Sequence, residues 1–93
     1  MRKISDKFRR DNKITYKLVD STVYILHTQT NTIHTLNETA SFIWNHLDKP
    51  TTIGDLARLI TETYDTTYSE ALKDTNNFIN KYISSGYVKY VQK

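Results

Sequence analysis

Histidines are the residues of this chain whose type and spacing could best support metal chemistry. His27 and His34 would be cross-strand neighbours if the chain turned symmetrically about Thr30 and Asn31. Two imidazoles that close could hold a metal ion, but no cysteine and no nearby carboxylate completes the ligand set. We therefore predict no metal site. Both side chains are interpreted as polar residues on a solvated or ligand-facing face of a sheet.

Motifs for catalysis and for phosphate binding are absent from the sequence. The chain has no cysteine, which excludes disulfides, thiolate metal sites and cysteine nucleophiles. Gly54 and Gly86 are its two glycines, too few and too isolated for a phosphate-cradling loop. The carboxylates are scattered without a pair suited to general acid and base work. We predict a protein that is not an enzyme and that needs no cofactor.

Trp44 is the only tryptophan of the sequence, and its ring could in principle stack on a ligand. It shares a helical stripe with Ala40, Ile43 and Leu47, however. This spacing is typical of a core face. We interpret Trp44 as the largest core side chain.

The length and the charge distribution of the chain indicate how its residues divide between a folded domain and a tail. With 93 residues the chain suits one domain. Residues 1–13 carry six Lys or Arg and two Asp, whereas the remainder carries seven basic and eight acidic residues. We predict a flexible, basic N-terminal arm over residues 1–13 and a folded domain over residues 14–93.

Hydropathy indicates the compartment. No apolar run approaches the roughly 18 residues that span a bilayer, and the N-terminus lacks the apolar stretch of a signal peptide. We expect a cytoplasmic protein that does not bind membranes. Because the basic residues lie in the arm rather than over the domain, no nucleic acid is expected as a partner.

Three short stretches with period-two alternation predict strands. They are "ITYKLV", "TVYILHT" and "TIHTL", and they are separated by Asp20 with Ser21 and by the polar stretch at 28–31. Short polar connections of this kind are typical of an antiparallel meander. Such a sheet needs a helical layer over one face for stability.

Three helices follow, each with a recognisable start. Asn37, Thr52 and Thr67 are placed as N-caps, Pro50 ends the first helix, and Gly86 closes the third. Gly54 lies inside the second helix with no reason visible in the sequence, and the residues after Gly86 could pack as a short extended tail. The fold class predicted is α+β, a three-stranded antiparallel sheet followed by a three-helix bundle.

A set of residues between positions 36 and 86 occurs in a recognisable order. The set is Leu36 and Asn37, Ala40, Ile43 and Trp44, Leu47 and Asp48, Pro50, Thr52, Asp55 and Leu56, Tyr64 and Asp65, Asp74, Phe78 and Ile79, and Gly86. Over about residues 14–88 the chain resembles the PqqD-like family, the recognition elements of ribosomally synthesised and post-translationally modified peptides (RiPPs). Tyr82 and Tyr87 depart from the Leu-type residues usual there.

The resemblance implies a winged-helix-like fold and a peptide-binding function. Family members bind the leader of a precursor peptide as an added β-strand against the third strand, beside the third helix. The implied partners are a precursor leader peptide and a separate modifying enzyme or leader protease. Carried over to this chain, the residues predicted to bind the leader are Thr32, Ile33, His34, Thr35 and Leu36 of the strand and Asp74, Asn77, Phe78 and Lys81 of the helix.

Alternatives stay open at this point. A winged-helix DNA-binding regulator shares the architecture but needs a basic recognition helix. In the third helix, the positive charges of Lys73 and Lys81 are offset by the negative charges of Glu70 and Asp74. The chain starts at Met1 and ends soon after the third helix, which suggests a free-standing recognition element, although an excised domain would look the same. Since an open strand edge can pair with its own copy, we expect either a monomer or an edge-paired homodimer.

Overall fold

The computed structural model describes residues 3–91, which form six strands and three helices. In chain order they are β1 (Lys7–Arg10), β2 (Thr15–Val19), β3 (Thr22–His27), β4 (Thr32–Thr35), α1 (Glu38–Asn45), β5 (Thr51–Thr52), α2 (Ile53–Thr63), α3 (Tyr68–Ser84) and β6 (Val88–Val91). The predicted α+β class is confirmed, with antiparallel sheets and three helices.

The predicted meander is the sheet β2-β3-β4. Asp20 and Ser21 both have positive φ, the pattern of a type I′ turn, whose twist suits a tight two-residue hairpin. The strands alternate as expected, because Val23 and Ile25 are buried against the helices while Val19 and Ile33, on the other face, stay exposed. This sheet therefore presents one face to the core and one to solvent.

The predicted register between His27 and His34 is wrong. His27 pairs with Thr32, and His34 pairs with Ile25. The loop at 28–31 is centred one residue earlier than predicted, because Asn31 adopts the left-handed conformation (φ 59°) that ends the turn. The two imidazoles are therefore not opposite each other.

The three predicted N-caps are confirmed. The side chain of Asn37 accepts from the Ala40 amide at 2.8 Å. Thr52 accepts from the amide of Asp55 and Thr67 from that of Glu70, at 3.0 and 3.1 Å. Each bond satisfies a backbone donor that the first turn of a helix leaves without a partner. Gly86, with φ of 80°, follows α3 in the left-handed region that ends many helices.

The N-terminal segment differs from the flexible arm that we predicted. Lys7–Arg10 form β1, the central strand of a second sheet in the order β5-β1-β6. Phe8 pairs with Thr51 on one side and Tyr90 on the other, and its side chain is only 1% exposed. The predicted domain boundary at residue 14 therefore cuts through the core. Residues 1 and 2 lie outside the described residues.

Arg10 connects this second sheet to the rest of the domain. Its guanidinium donates to the carbonyl oxygen of Trp44 at 2.8 Å. The same group lies over the ring of Tyr16 at 5.0 Å and over that of Trp44 at 5.9 Å. Such cation–π contacts stabilise a partly buried guanidinium. A charge assigned to the predicted flexible arm is instead part of the packing.

Gly54 has a structural reason that was not visible in the sequence. Its amide donates to the carbonyl oxygen of Ile4 at 3.2 Å. A Cβ atom at this position would lie 2.5 Å from the Cγ2 of Ile4. The absence of a side chain therefore lets the N-terminal segment pack on the start of α2.

The core lies where the helices meet both sheets. Trp44 is fully buried and its ring packs edge-on against that of Tyr16, which confirms it as a core residue. The other buried apolar residues come from every layer: Phe8, Val23, Ile25, Leu36, Ile43, Leu47, Ile53, Leu56, Ala57, Ile60, Ala71, Phe78, Ile79, Tyr82 and Val88.

Candidate functional site

The edge of β4 is the first component of the site. β4 pairs with β3 on one side, and within residues 3–91 no strand pairs with its other side. The Leu36 amide donates to the carbonyl oxygen of Val23 at 3.0 Å. Because bonded pairs alternate along an antiparallel ladder, the backbone groups of Thr32 and His34 face β3. Those of Ile33 and Thr35 face the open edge.

A groove runs between this edge and α3, with α1 at its floor. We call it the β4–α3 groove, and its volume is about 400 Å³. This is within the range of ligand-binding clefts. The residues that line it are His34, Thr35, Leu36, Asn37, Thr39, Ala40, Ile43, Asp74, Asn77, Phe78, Lys81 and Tyr82.

The structure brings most of the sequence-predicted site residues together in this groove. All four helix residues line it, together with three strand residues: Asp74, Asn77, Phe78, Lys81, His34, Thr35 and Leu36. Thr32 and Ile33 lie further back along β4 and do not line the groove. Ile33 is 64% exposed, on the face of the sheet that turns away from the core.

Sequence reasoning missed five residues that line the groove, because it gave them other roles or none. Asn37, Thr39, Ala40 and Ile43 were assigned to helix capping or to the core, or were not considered. Tyr82 was noted only as a departure from the family pattern; it is almost fully buried, yet it borders the groove. The available signal was spacing: a residue four after Phe78 falls on the same face of α3.

The middle of the groove is apolar. Phe78 and Ile43 are both buried, and Ala40 is partly exposed between them. The Phe78 ring lies 4.6 Å from that of Tyr82, which in turn stacks on Tyr87 at 5.9 Å. Aromatic packing of this kind holds the wall of α3 rigidly in place.

A neutral polar pair joins β4 to α3. His34 Nε2 and the Tyr82 hydroxyl share a hydrogen bond of 2.7 Å, and the two rings meet edge-on. Burial lowers the pKa of His34, and the positive charge of Lys81 lowers it further. Burial also raises the pKa of Tyr82, with a contribution from Tyr87. Near neutral pH both partners are therefore uncharged.

Ser41 fixes the junction at which β4 runs into α1. Its hydroxyl accepts from the Val23 amide at 3.0 Å and donates to the Leu36 carbonyl oxygen at 3.2 Å. Ser41 is itself buried. One hydroxyl thus satisfies two backbone groups at the point where the ladder ends. It holds the end of β4 in register beside the groove.

The part of the chain described holds neither a cluster of metal-ligating side chains nor a membrane-spanning helix. No group of three or more His, Asp or Glu side chains in residues 3–91 is arranged to hold a metal ion. None of the helices described is both long enough and apolar enough to cross a bilayer. The site consists of an open strand edge, an apolar groove and polar rims, which are features suited to binding.

Family membership follows from the comparison with protein families. The sequence model of the family described as coenzyme PQQ synthesis protein D (PqqD) matches residues 22–88. The chain belongs to the PqqD family. The matched span runs from the first residue of β3 to the first residue of β6, so it includes β4 and the whole of α3. The resemblance noted in the sequence is confirmed.

Solved structures share the fold of this PqqD-family chain. TbiB1, in complex with the TbiA(beta) leader peptide, has a TM-score of 0.77 at 19% identity and covers 91% of this chain and 99% of its own. Lasso peptide synthetase B1, complexed with the leader peptide, has a TM-score of 0.74 at 22% identity and covers 88% and 96%.

A third structure comes from the family's namesake. It is the solution NMR structure of the PqqD truncation of Methylobacterium extorquens PqqCD, described as a functional and stand-alone RiPP recognition element. It has a TM-score of 0.74 at 15% identity and covers 94% of this chain and 93% of its own. No curated protein sequence matches this chain significantly.

The DNA-binding alternative finds no support in the structure or in these likenesses. The exposed charges of α3 are mixed, since Lys73 and Lys81 are offset by Glu70 and Asp74. A helix that enters a DNA groove needs a net basic face. The three structures named above are described as a recognition element or as complexes with leader peptides.

Proposed function

We propose that this PqqD-family chain is a non-catalytic peptide-binding module. It binds the leader of a precursor peptide as an extra β-strand along the edge of β4, beside α3. The observation that carries this proposal is the open edge of β4 bordering the β4–α3 groove. The leader complexes of two proteins with the same fold support it.

The edge supplies affinity that depends little on the guest's sequence. Ile33 and Thr35 each offer an amide and a carbonyl group to a strand laid alongside β4. A guest strand that pairs with them extends the sheet from three strands to four. Backbone bonds of this kind provide binding, while pockets for alternate side chains provide selectivity.

We infer that a separate modifying enzyme or leader protease acts on the precursor while its leader is held. Holding substrate and enzyme together raises the effective concentration of one for the other by a large factor. The module would act by proximity and contribute no reacting group.

A proline at position 35 tests strand addition. In Thr35→Pro the outward amide is lost, whereas the ladder bonds to β3 are made by neighbouring residues. We expect isothermal titration to show that binding of a synthetic leader of the cognate precursor peptide is abolished. The matched control is Thr35→Val, which keeps the amide and should bind as the native chain does.

Folding is monitored in the same samples. Circular dichroism and the fluorescence of Trp44 should show a folded domain in both variants, since Thr35 is exposed at an edge. Undiminished affinity in a folded Thr35→Pro variant would rule out strand addition. Ile33→Pro provides a second, independent probe of the same edge.

A further inference from the structure

Two opposite charges lie on the wall that α3 contributes to the β4–α3 groove. Lys81 and Asp74 both line the groove and are exposed. They are seven residues apart, which corresponds to about 10 Å along a helix. The ion pairs found in residues 3–91 involve other side chains, so neither charge is neutralised by a described neighbour.

Lys81 marks the end of the groove nearest the middle of β4. It acts electrostatically on His34, and its Nζ lies 5.4 Å from the ring of Tyr82, the residue that bonds to His34. Asp74 lies two turns earlier on α3, on the far side of Phe78 from His34. The two charges therefore bracket the groove along its length.

An apolar surface separates them. Phe78 lies between Asp74 and Lys81 at helical spacings of four and three residues, so all three share one face of α3. Ala40 and Ile43 of α1 continue that apolar surface across the floor. The imidazole of His34 is neutral and adds no charge to the groove. Along the wall the order is therefore positive at Lys81, apolar at Phe78 and negative at Asp74.

An extended guest can match this order with three side chains. Residues on one face of a strand recur every second position, about 6.7 Å apart. Three successive same-face residues therefore extend over about 13 Å. The long, flexible side chain of Lys81 bridges the small difference from the spacing on α3.

We propose that the groove selects guest strands by charge order. The preferred guest carries an acidic residue beside Lys81, an apolar residue over Phe78 and a basic residue beside Asp74, each two positions from the next. This inference rests on the proposed function, because it names the class of peptide that the site accepts. It makes Lys81 and Asp74 specificity-determining residues.

Charge order would contribute mainly to selectivity. Ion pairs at an exposed rim add little affinity, because water and salt screen them. A guest in the wrong order, however, brings like charges together at both ends of the groove. The wrong order is thus rejected more strongly than the right order is attracted.

Exchanging the two charges tests the proposal without knowledge of the natural leader. The probe is a display library of random 12-residue peptides, selected against the native chain and against the double variant Asp74→Lys with Lys81→Glu. The net charge of the two proteins is the same. The matched control, Glu70→Lys with Lys73→Glu, exchanges two exposed charges on the same helix outside the groove.

Native protein and control should enrich one order, acidic-x-apolar-x-basic or its reverse, and the exchanged variant should enrich the opposite order. By isothermal titration, a peptide selected on the native chain should bind the exchanged variant about tenfold more weakly. Circular dichroism checks that all three proteins fold.

The outcomes separate the two proposals. Enriched peptides with no charge order, or with the same order on native and exchanged proteins, would overturn the inference. Strand addition would then still stand, provided that Thr35→Pro abolishes their binding. If no enriched peptide depends on the edge of β4, the proposed function fails, and the charge inference fails with it.

Discussion

Ser41 makes two buried hydrogen bonds that stabilise the junction between β4 and α1. Its hydroxyl serves both the Val23 amide and the Leu36 carbonyl oxygen in a buried setting. A buried backbone group without a partner costs about 1–3 kcal/mol. We therefore expect Ser41→Ala to lower the free energy of unfolding by about 2–4 kcal/mol, measured by urea denaturation.

A suitable comparison is Ser84→Ala, which removes an exposed hydroxyl bonded within α3. This change should move the free energy of unfolding by less than about 0.5 kcal/mol. Equal effects of the two substitutions would show that the Ser41 bonds contribute nothing to stability. Leader binding should also weaken in Ser41→Ala, because the end of β4 loses its anchor.

His34 makes stability depend on pH in the mildly acidic range. Its pKa in the folded state is lowered from the ordinary 6.5 by burial and by Lys81. The contribution of neutral His34 to the free energy of unfolding is therefore fully present above pH 6.5, and it is lost as the pH falls through the folded-state pKa. The cause is that the unfolded chain binds a proton in this range more readily than the folded chain does.

Comparison with His34→Gln isolates this contribution. The amide keeps a polar partner for Tyr82 but does not titrate. Urea denaturation between pH 7.5 and 5 should show a steeper loss of stability in the native chain than in the variant. Parallel curves would mean that His34 titrates alike in the folded and unfolded chains.

Single residues also show how far sequence reasoning extends. The helix caps were predictable, because a cap depends on its own side chain and on residues three positions away. The role of Tyr82 at the groove was not, since its hydroxyl finds a partner 48 positions earlier in His34. Asp74, Asn77, Phe78 and Lys81 were placed by family resemblance, and the residues alone did not single them out.

At the scale of elements, the short connection between β4 and α1 joins the edge of the groove to its floor. Asn37 caps α1 directly after Leu36, whose side chain is buried in the core. The edge and the floor of the groove are therefore joined rigidly by consecutive residues. A longer loop here would let the open edge move relative to α3.

Replacing the cap tests this coupling. Asn37→Ala leaves the Ala40 amide without its acceptor and should lower the free energy of unfolding by about 1 kcal/mol in urea denaturation. Asn37→Asp retains an acceptor and should stay close to the native value. An Asn37→Ala variant as stable as native would contradict a stabilising role for the cap.

The hairpin between β3 and β4 marks the limit of prediction for elements. Strand existence followed from alternation, but register depends on the conformation of the connecting loop. Asn31 in the left-handed region shifts the pairing by one position on each strand relative to a turn centred on Thr30 and Asn31. The composition of the loop does not distinguish these two geometries.

For the whole molecule, the segment ahead of the meander is structural. β1 lies between β5 and β6, whose positions in the chain are more than 40 residues away. Charge dominates the composition of residues 1–13, and its one aromatic side chain, Phe8, gave no periodic signal. Pairing across such separations is decided by the finished fold, which is why the segment was mistaken for a flexible arm.

Truncating Phe8 tests the place of β1 in the fold. Phe8→Ala removes a buried ring and should lower the free energy of unfolding by about 3–5 kcal/mol. Lys7→Ala, next to it and exposed, should change it by less than about 0.5 kcal/mol. Urea unfolding followed by the fluorescence of Trp44 measures both, and equal stabilities would restore the flexible-arm interpretation.

The same pairing has a consequence for engineering. Because Lys7 and Val91 are partners in one sheet, the first and last strands of the described residues lie side by side. Domains whose first and last strands pair in this way tolerate circular permutation and insertion into a loop of a host protein. We expect a linker of a few residues to join them, with new ends opened in the exposed loop at 28–31, without disturbing the residues around α3. Domain insertion is therefore a practical way to graft this groove onto an enzyme.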